Sequence, residues 1–180
     1  MFVISWQTKI VLIGLSAMQT GMQPLRKPRI FNTAFESGIR SLVILTNFFP
    51  VSLTLRQIVI FDYLVVHTSD IDGPDSLHPN ENFRGAELLV RRQLVESGLA
   101  LMQVRQLITR NASREGFKYA AGNEAGNFVD LLTSFYNRSL KERASWLSLN
   151  FGAISESALD DLVRRRLDTW TPEFQLGNGT

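Results

Sequence analysis

The chain has 180 residues, 44% of them hydrophobic and 20% charged. That is the balance of one ordinary globular domain, and it excludes a disordered or fibrous chain. There is no cysteine, which excludes disulfide frameworks, zinc–thiolate sites and thiol catalysis. The formal charge of +2 is unevenly placed: Lys9, Arg26, Lys27 and Arg29 precede every acidic residue, and from Ile30 onward 15 basic residues face 17 acidic ones. A body of that kind is no general polyanion binder, so any cationic patch must be local.

The first stretch contains an apolar run, Ile10 to Ala17, of eight residues. A membrane span needs about 20, and a secretory signal needs an earlier basic region and a small-residue cleavage site, which are not apparent here. Initiation at Met18 or Met22 is the preferred reading. Residues 1–28 are therefore expected to be an extension outside the fold, residues 29–172 the domain, and residues 173–180 a loose tail.

Thr33-Ala-Phe-Glu36 is a capping box, and Phe35, Ile39, Leu42, Val43 and Thr46 follow at helical spacing; Pro50 ends this first helix. A second capping box, Thr54-Leu-Arg-Gln57, opens an almost wholly apolar helix that reaches His67 and should be buried on most sides. Ser69 to Asn82 is rich in Asp, Gly, Pro and Asn and reads as a long loop. A third helix is predicted from about Phe83 to Leu107, with Gly98 as a weak point in it. The period then changes: Leu107 to Asn111 and Phe117 to Ala120 read as a β-hairpin. One long fourth helix is predicted from about Gly126 to Asn150, with Phe128, Leu131, Leu132, Phe135, Leu140, Ala144, Leu147 and Phe151 on its buried face and Gly152 as its stop. Ser157-Ala-Leu-Asp160 opens a fifth helix that ends near Trp170. The fold class expected is mainly α with a small β-hairpin: a winged helix-turn-helix-like domain with C-terminal helices, whose third helix would enter a major groove and whose hairpin is the wing.

Few residues could carry chemistry. The two histidines, His67 and His78, lack a third ligand at metal spacing. Asp70, Asp72 and Asp75 do not match a calcium loop. No phosphate-cradling glycine loop and no nucleophile elbow occurs. Asp62 and Glu87 are carboxylates in apolar or basic surroundings. They read as ion-pair partners of Arg84, Arg91 or Arg92 in preference to an acid–base couple, because buried carboxylates require partners. Arg91 and Arg92 on the third helix, with Arg110, Arg114 and Lys118 on the hairpin, form a candidate nucleic-acid contact; a dispersed solvated surface is the equal alternative. Arg164-Arg-Arg166 is flanked by Asp160, Asp161 and Asp168 and reads as a charged helix face.

Several runs together resemble one family. These are Phe31-Asn-Thr-Ala-Phe-Glu36, Asp62-Tyr-Leu-Val-Val-His67, Gly73-Pro-Asp-Ser-Leu-His-Pro79, Gly85-Ala-Glu-Leu-Leu-Val-Arg-Arg92 and Gly98-Leu99. They resemble the middle component of bacterial ABC-three-component systems, most closely its second family, over about Ile30 to Trp170. The resemblance implies a non-catalytic accessory or adaptor subunit, encoded beside a coiled-coil ABC-type ATPase similar to chromosome-maintenance ATPases and beside a third component, in anti-phage or mobile-element defence. It carries over no catalytic set and no cofactor. The matching positions are Asp62, Tyr63, His67, Pro74, Ser76, Leu77, His78, Pro79, Arg84, Glu87, Arg91 and Arg92.

The expectation is thus a cytoplasmic adaptor that is not an enzyme. Its partners are the ATPase subunit and the third component. A DNA contact through the complex and a homodimer are compatible with this reading, and a membrane is not. Ser76, Leu77 and His78 are expected to contact the ATPase, with Leu77 as apolar anchor; the alternative is that this loop packs back on its own domain. The rival function is a free-standing winged-helix DNA-binding transcriptional regulator. An enzyme using Asp62 and His67 would need a nucleophile or cofactor loop, and none is evident.

Overall fold

A computed structural model describes residues 33–79, 84–114 and 116–170, with the backbone alone at 84–90 and 167–170. The expected extension at residues 1–28, the tail at 173–180 and the side chains of Arg84 and Glu87 lie outside the described residues.

Helix α1, Ala34–Phe48, starts where the sequence placed it. The Glu36 amide donates to Thr33 Oγ1 at 3.2 Å and the Thr33 amide donates to Glu36 Oε2 at 3.0 Å. Two free amides of the first turn are satisfied this way. Thr54 and Gln57 repeat the device, at 3.2 and 2.9 Å, at the start of α2, Leu55–Leu64. Every residue of α2 from Ile58 to Leu64 is buried, as its all-round apolar sequence requires. A 3-10 turn, Thr68–Ile71, follows, and then α3, Arg84–Val104.

The hairpin is β2, Ile108–Ser113, and β3, Gly116–Ala121, paired in register from Ile108↔Ala121 to Ser113↔Gly116. A strand absent from the sequence reading, β1 at Leu53–Thr54, pairs antiparallel with β3 through Leu53↔Tyr119, so the sheet order is β1-β3-β2. Two residues are too few to show a period of two; only the partner makes them a strand. The described structure is therefore mainly helical with a small three-stranded antiparallel sheet, an order compatible with a winged helix.

The predicted fourth helix is in fact two. Helix α4, Ala125–Asp130, stops, and α5, Phe135–Phe151, restarts at Ser134, whose hydroxyl accepts from the Asn137 amide at 3.2 Å. The Arg138 guanidinium and the Lys141 ammonium donate to the Thr133 and Val129 carbonyls at 2.8 and 3.2 Å, so the break has its own hydrogen bonds. As a consequence Leu131 and Phe135, expected on a buried face, are 77% and 79% exposed. Gly152 does end α5, but in the right-handed conformation at φ −61°. Helix α6 spans Glu156–Trp170. Its first turn is capped by Ser155, which accepts from the Ala158 amide at 3.2 Å. The core lies between α1, α2 and α3, with Leu42, Val43, Phe61, Val95, Leu99 and Met102 all buried.

Candidate functional site

The one carboxylate inside the apolar helix α2 organises the site. Asp62 is wholly buried. Arg40 on α1 donates from Nε to Asp62 Oδ1 at 2.8 Å and from Nη2 to Oδ2 at 3.1 Å. Arg91 on α3 donates from Nη1 to Oδ2 at 2.8 Å and to the Asp62 backbone carbonyl at 3.0 Å. Both arginines are buried as well, at 2% and 1% exposure. Burial alone would push the Asp62 carboxyl up; the two guanidiniums, Arg40 foremost, overcome it and hold the carboxyl below its ordinary range. Burial opposes charge on Arg40 too, and Asp62 reverses that effect.

The ion pair between Asp62 and Arg91 is thus present. Arg40, which the sequence reading did not single out, supplies the two-pronged half of it. Its signal was a charge within the otherwise apolar stripe of α1. Arg91 correspondingly leaves the candidate nucleic-acid set: a guanidinium buried on a carboxylate cannot reach a phosphate. Arg92 is exposed and lies 3.4 Å from Glu96 one turn on.

From this triad a chain of rings leads outward. Tyr63 lies with its ring 5.4 Å from the Arg91 guanidinium carbon, and its hydroxyl donates to Asp70 at 2.7 Å. His67, also buried, stacks on Tyr63 at 4.7 Å, and His78 meets His67 edge-on at 5.9 Å. His78 Nε2 shares a 3.1 Å hydrogen bond with the Tyr136 hydroxyl of α5. Burial pushes the Tyr136 phenol up from its ordinary value, with Arg40 opposing. The positions carrying the resemblance, Asp62, Tyr63, His67, His78 and Arg91, are therefore one connected cluster, joined from elsewhere in the chain by Arg40, by Tyr136 and by Ser37, whose hydroxyl donates to Asp62 Oδ1 at 3.4 Å.

The loop is tied to its own domain from both sides. Inside it, Thr68 donates to the Pro74 carbonyl at 2.6 Å, Ser76 Oγ accepts from the Ser69 amide at 3.3 Å, and Leu77 and His78 both donate to the Val66 carbonyl, at 2.9 and 3.1 Å. Leu77 packs half-buried against the core. From α5, Arg143 donates to the Asp75 carbonyl at 3.1 and 3.3 Å, and the Trp146 ring lies 2.6 Å from where a Gly73 Cβ would stand. Arg166 of α6 pairs with Asp72. Pro79, at the end of this stretch, is exposed. The expectation that Leu77 is an outward anchor thus meets a side chain turned onto its own domain.

Residues 30–173 match the family described as ABC-three component (ABC-3C) system Middle Component 2. The chain belongs to this family. No curated protein and no solved structure matches it.

Beside the middle component's charged cluster opens an apolar cleft of about 350 Å³. Phe35, Ile39, Phe128, Leu132 and Leu140 line it, and Arg40 and Tyr136, members of the cluster, form its polar edge with Glu36 and Asn137. Phe35 is 53% exposed, and Leu131 and Phe135 stand out from the neighbouring α4–α5 connection. The sequence shows these side chains on separate apolar faces, but not that they meet: Phe35 and Ile39 of α1 join Phe128, Leu132 and Leu140 only through the packing of distant segments. Among the described residues no three His, Cys, Asp or Glu side chains come together to hold a metal. No described helix is long and apolar enough to cross a membrane.

Proposed function

We propose that this middle component is a non-catalytic, cytoplasmic adaptor that docks on the coiled-coil ABC-type ATPase of its system and helps couple that ATPase to a third component in defence against phage or mobile elements. The observation that carries the reading is the cleft with its exposed apolar rim in a chain whose family is a component of a multi-subunit system. Large apolar side chains grouped around one concavity favour a protein partner. The burial of Asp62 and His67 supports a non-catalytic role, since neither is open to a substrate. In this reading the motif residues act indirectly: Asp62, Arg91, Tyr63, His67 and His78 fix α1, α2, α3 and α5 against each other, and Ser76 and Leu77 set the loop, so that the cleft keeps its shape.

The rival, a free-standing DNA-binding regulator, draws support from the strand order. The outer face of α3 weakens it. There Gln93, Ala100, Leu101 and Val104 are exposed or half-exposed, Leu101 and Val104 at 38% and 83%, and Arg92 is paired with Glu96. A recognition helix that reads bases needs polar and cationic side chains along that face.

The test is co-expression with the ATPase and third component encoded beside it. Tagged wild-type protein is expected to retain the ATPase. Phe35→Ser combined with Phe135→Ser is expected to lose it with the melting temperature unchanged, since both side chains already face solvent. Full retention of the ATPase by the folded double variant would overturn the docking face.

A further inference from the structure

The hairpin carries the other concentration of one kind of side chain. From Ser97 to Asn123 the sequence holds Arg105, Arg110, Arg114 and Lys118 against the single acid Glu115. Elsewhere among the described residues exposed arginines have acceptors: Arg56 has Asp160 at 2.7 Å, Arg92 has Glu96 and Arg164 has Asp161, both at 3.4 Å, and Arg138 has the Thr133 carbonyl at 2.8 Å. No carboxylate among the described residues lies within pairing distance of Arg105, Arg110 or Arg114, and all three are exposed. They stand at the base, on the strand and at the turn of the hairpin. Arg110 is also held in place: its guanidinium carbon sits 4.4 Å from the centre of the Phe117 ring. Alternation and register put the two on one face, since Arg110 pairs with Tyr119 and Ala112 with Phe117. An arginine stacked on a ring is pre-positioned, with its N–H donors left for an outside acceptor.

We infer that the β2–β3 hairpin contacts the phosphate backbone of double-stranded DNA through Arg105, Arg110 and Arg114. A two-stranded ribbon is narrow enough to lie along a duplex groove. Guanidiniums spread over its length and holding no carboxylate among the described residues match a polymer of phosphates better than a single acidic side chain. The contact is sequence-independent, because backbone contacts position a protein without specifying bases. It extends the adaptor reading and does not depend on it: the cleft faces the ATPase, and the hairpin gives the complex a DNA foothold.

The experiment is fluorescence anisotropy of a labelled random-sequence duplex titrated with the full-length chain at about 50 and about 150 mM salt. With three phosphate contacts the affinity should fall roughly twentyfold between these salts, in the micromolar range usual for non-specific binding. Arg110→Ala combined with Arg114→Ala, both surface changes whose fold is checked by circular dichroism, should weaken binding at the lower salt and flatten the fall to roughly threefold. A folded double variant with the wild-type affinity and salt dependence overturns the inference. Absence of DNA binding by the wild type also overturns it, as does arginine-dependent binding confined to phosphatidylserine vesicles run in parallel. Loss of ATPase docking by the cleft variant with DNA binding intact keeps the two readings apart.

Discussion

Gly38 of α1 and Gly98 of α3 meet backbone to backbone: a Cβ on Gly98 would stand 2.5 Å from the Gly38 amide nitrogen and 2.6 Å from the Ala34 carbonyl oxygen. A Cβ on Gly38 would in turn lie 2.9 Å from the Gly98 carbonyl. The glycine that reads as a weak point in the third helix is the place where two core helices touch, and the contact offsets its low helix propensity. Gly98→Ala is therefore expected to destabilise although alanine favours a helix. Overpacking against backbone typically costs about 1–3 kcal/mol, which lowers the melting temperature by about 2–12 °C for a chain of this size. A thermal melt decides it, and an unchanged or raised midpoint would show that the helices can part at no cost.

The Arg40–Asp62–Arg91 triad predicts an asymmetry. Asp62→Asn leaves two buried guanidiniums facing a neutral amide and should cost about 3–5 kcal/mol. Replacing all three with apolar side chains of similar size, as Arg40→Met, Asp62→Leu and Arg91→Met together, removes the charges along with their desolvation cost. That variant should recover most of the loss. Urea unfolding of the two variants beside wild type measures this. A triple variant no more stable than Asp62→Asn would mean that the arginines do something besides neutralise Asp62.

The same triad sets the acid limit of stability. Asp62 is held below its ordinary value near 3.8 in the folded chain, so the native state binds its proton less readily than the unfolded state does. Its contribution is fully present above the unfolded value and fades as pH falls through that value toward the folded one. Melting temperatures from pH 7 down to about 3 should hold steady and then drop. The drop should be shallower in the triple apolar variant, where Asp62 no longer titrates. Parallel acid limbs in the two proteins would assign the loss to other carboxylates.

Leu77 separates the two readings of the loop. Because it packs half-buried on the core, Leu77→Ala should cost about 1–3 kcal/mol, somewhat under the range for a fully buried leucine. The fraction that remains folded should still retain the ATPase. Lost co-purification with an unchanged melting temperature would return Leu77 to the role of partner anchor.

Much of the chain was decided by sequence alone, for a physical reason. Capping boxes at Thr33 and Thr54, the all-apolar α2 and the switch from helical to alternating pattern at Leu107 depend on hydrogen bonds and periods that close within a few residues. Asp62 and Arg91 were legible as an ion pair because a charge in an apolar helix must have a partner. Which other partner it takes was not legible. Arg40 lies 22 residues earlier in the chain and Tyr136 lies 58 beyond His78; only the packing of α1, α2, α3 and α5 brings them together. The break at Ser134 is not legible in the sequence because Phe128 to Phe151 keeps a helical spacing. Local capping by Ser134, with Arg138 and Lys141 on the carbonyls behind it, outweighs that spacing. Tertiary structure alone decided that Phe135 faces solvent, that Leu77 faces inward, and that Gly98 is a point of contact. Each depends on what lies across the gap, and side-chain spacing within one segment does not contain that.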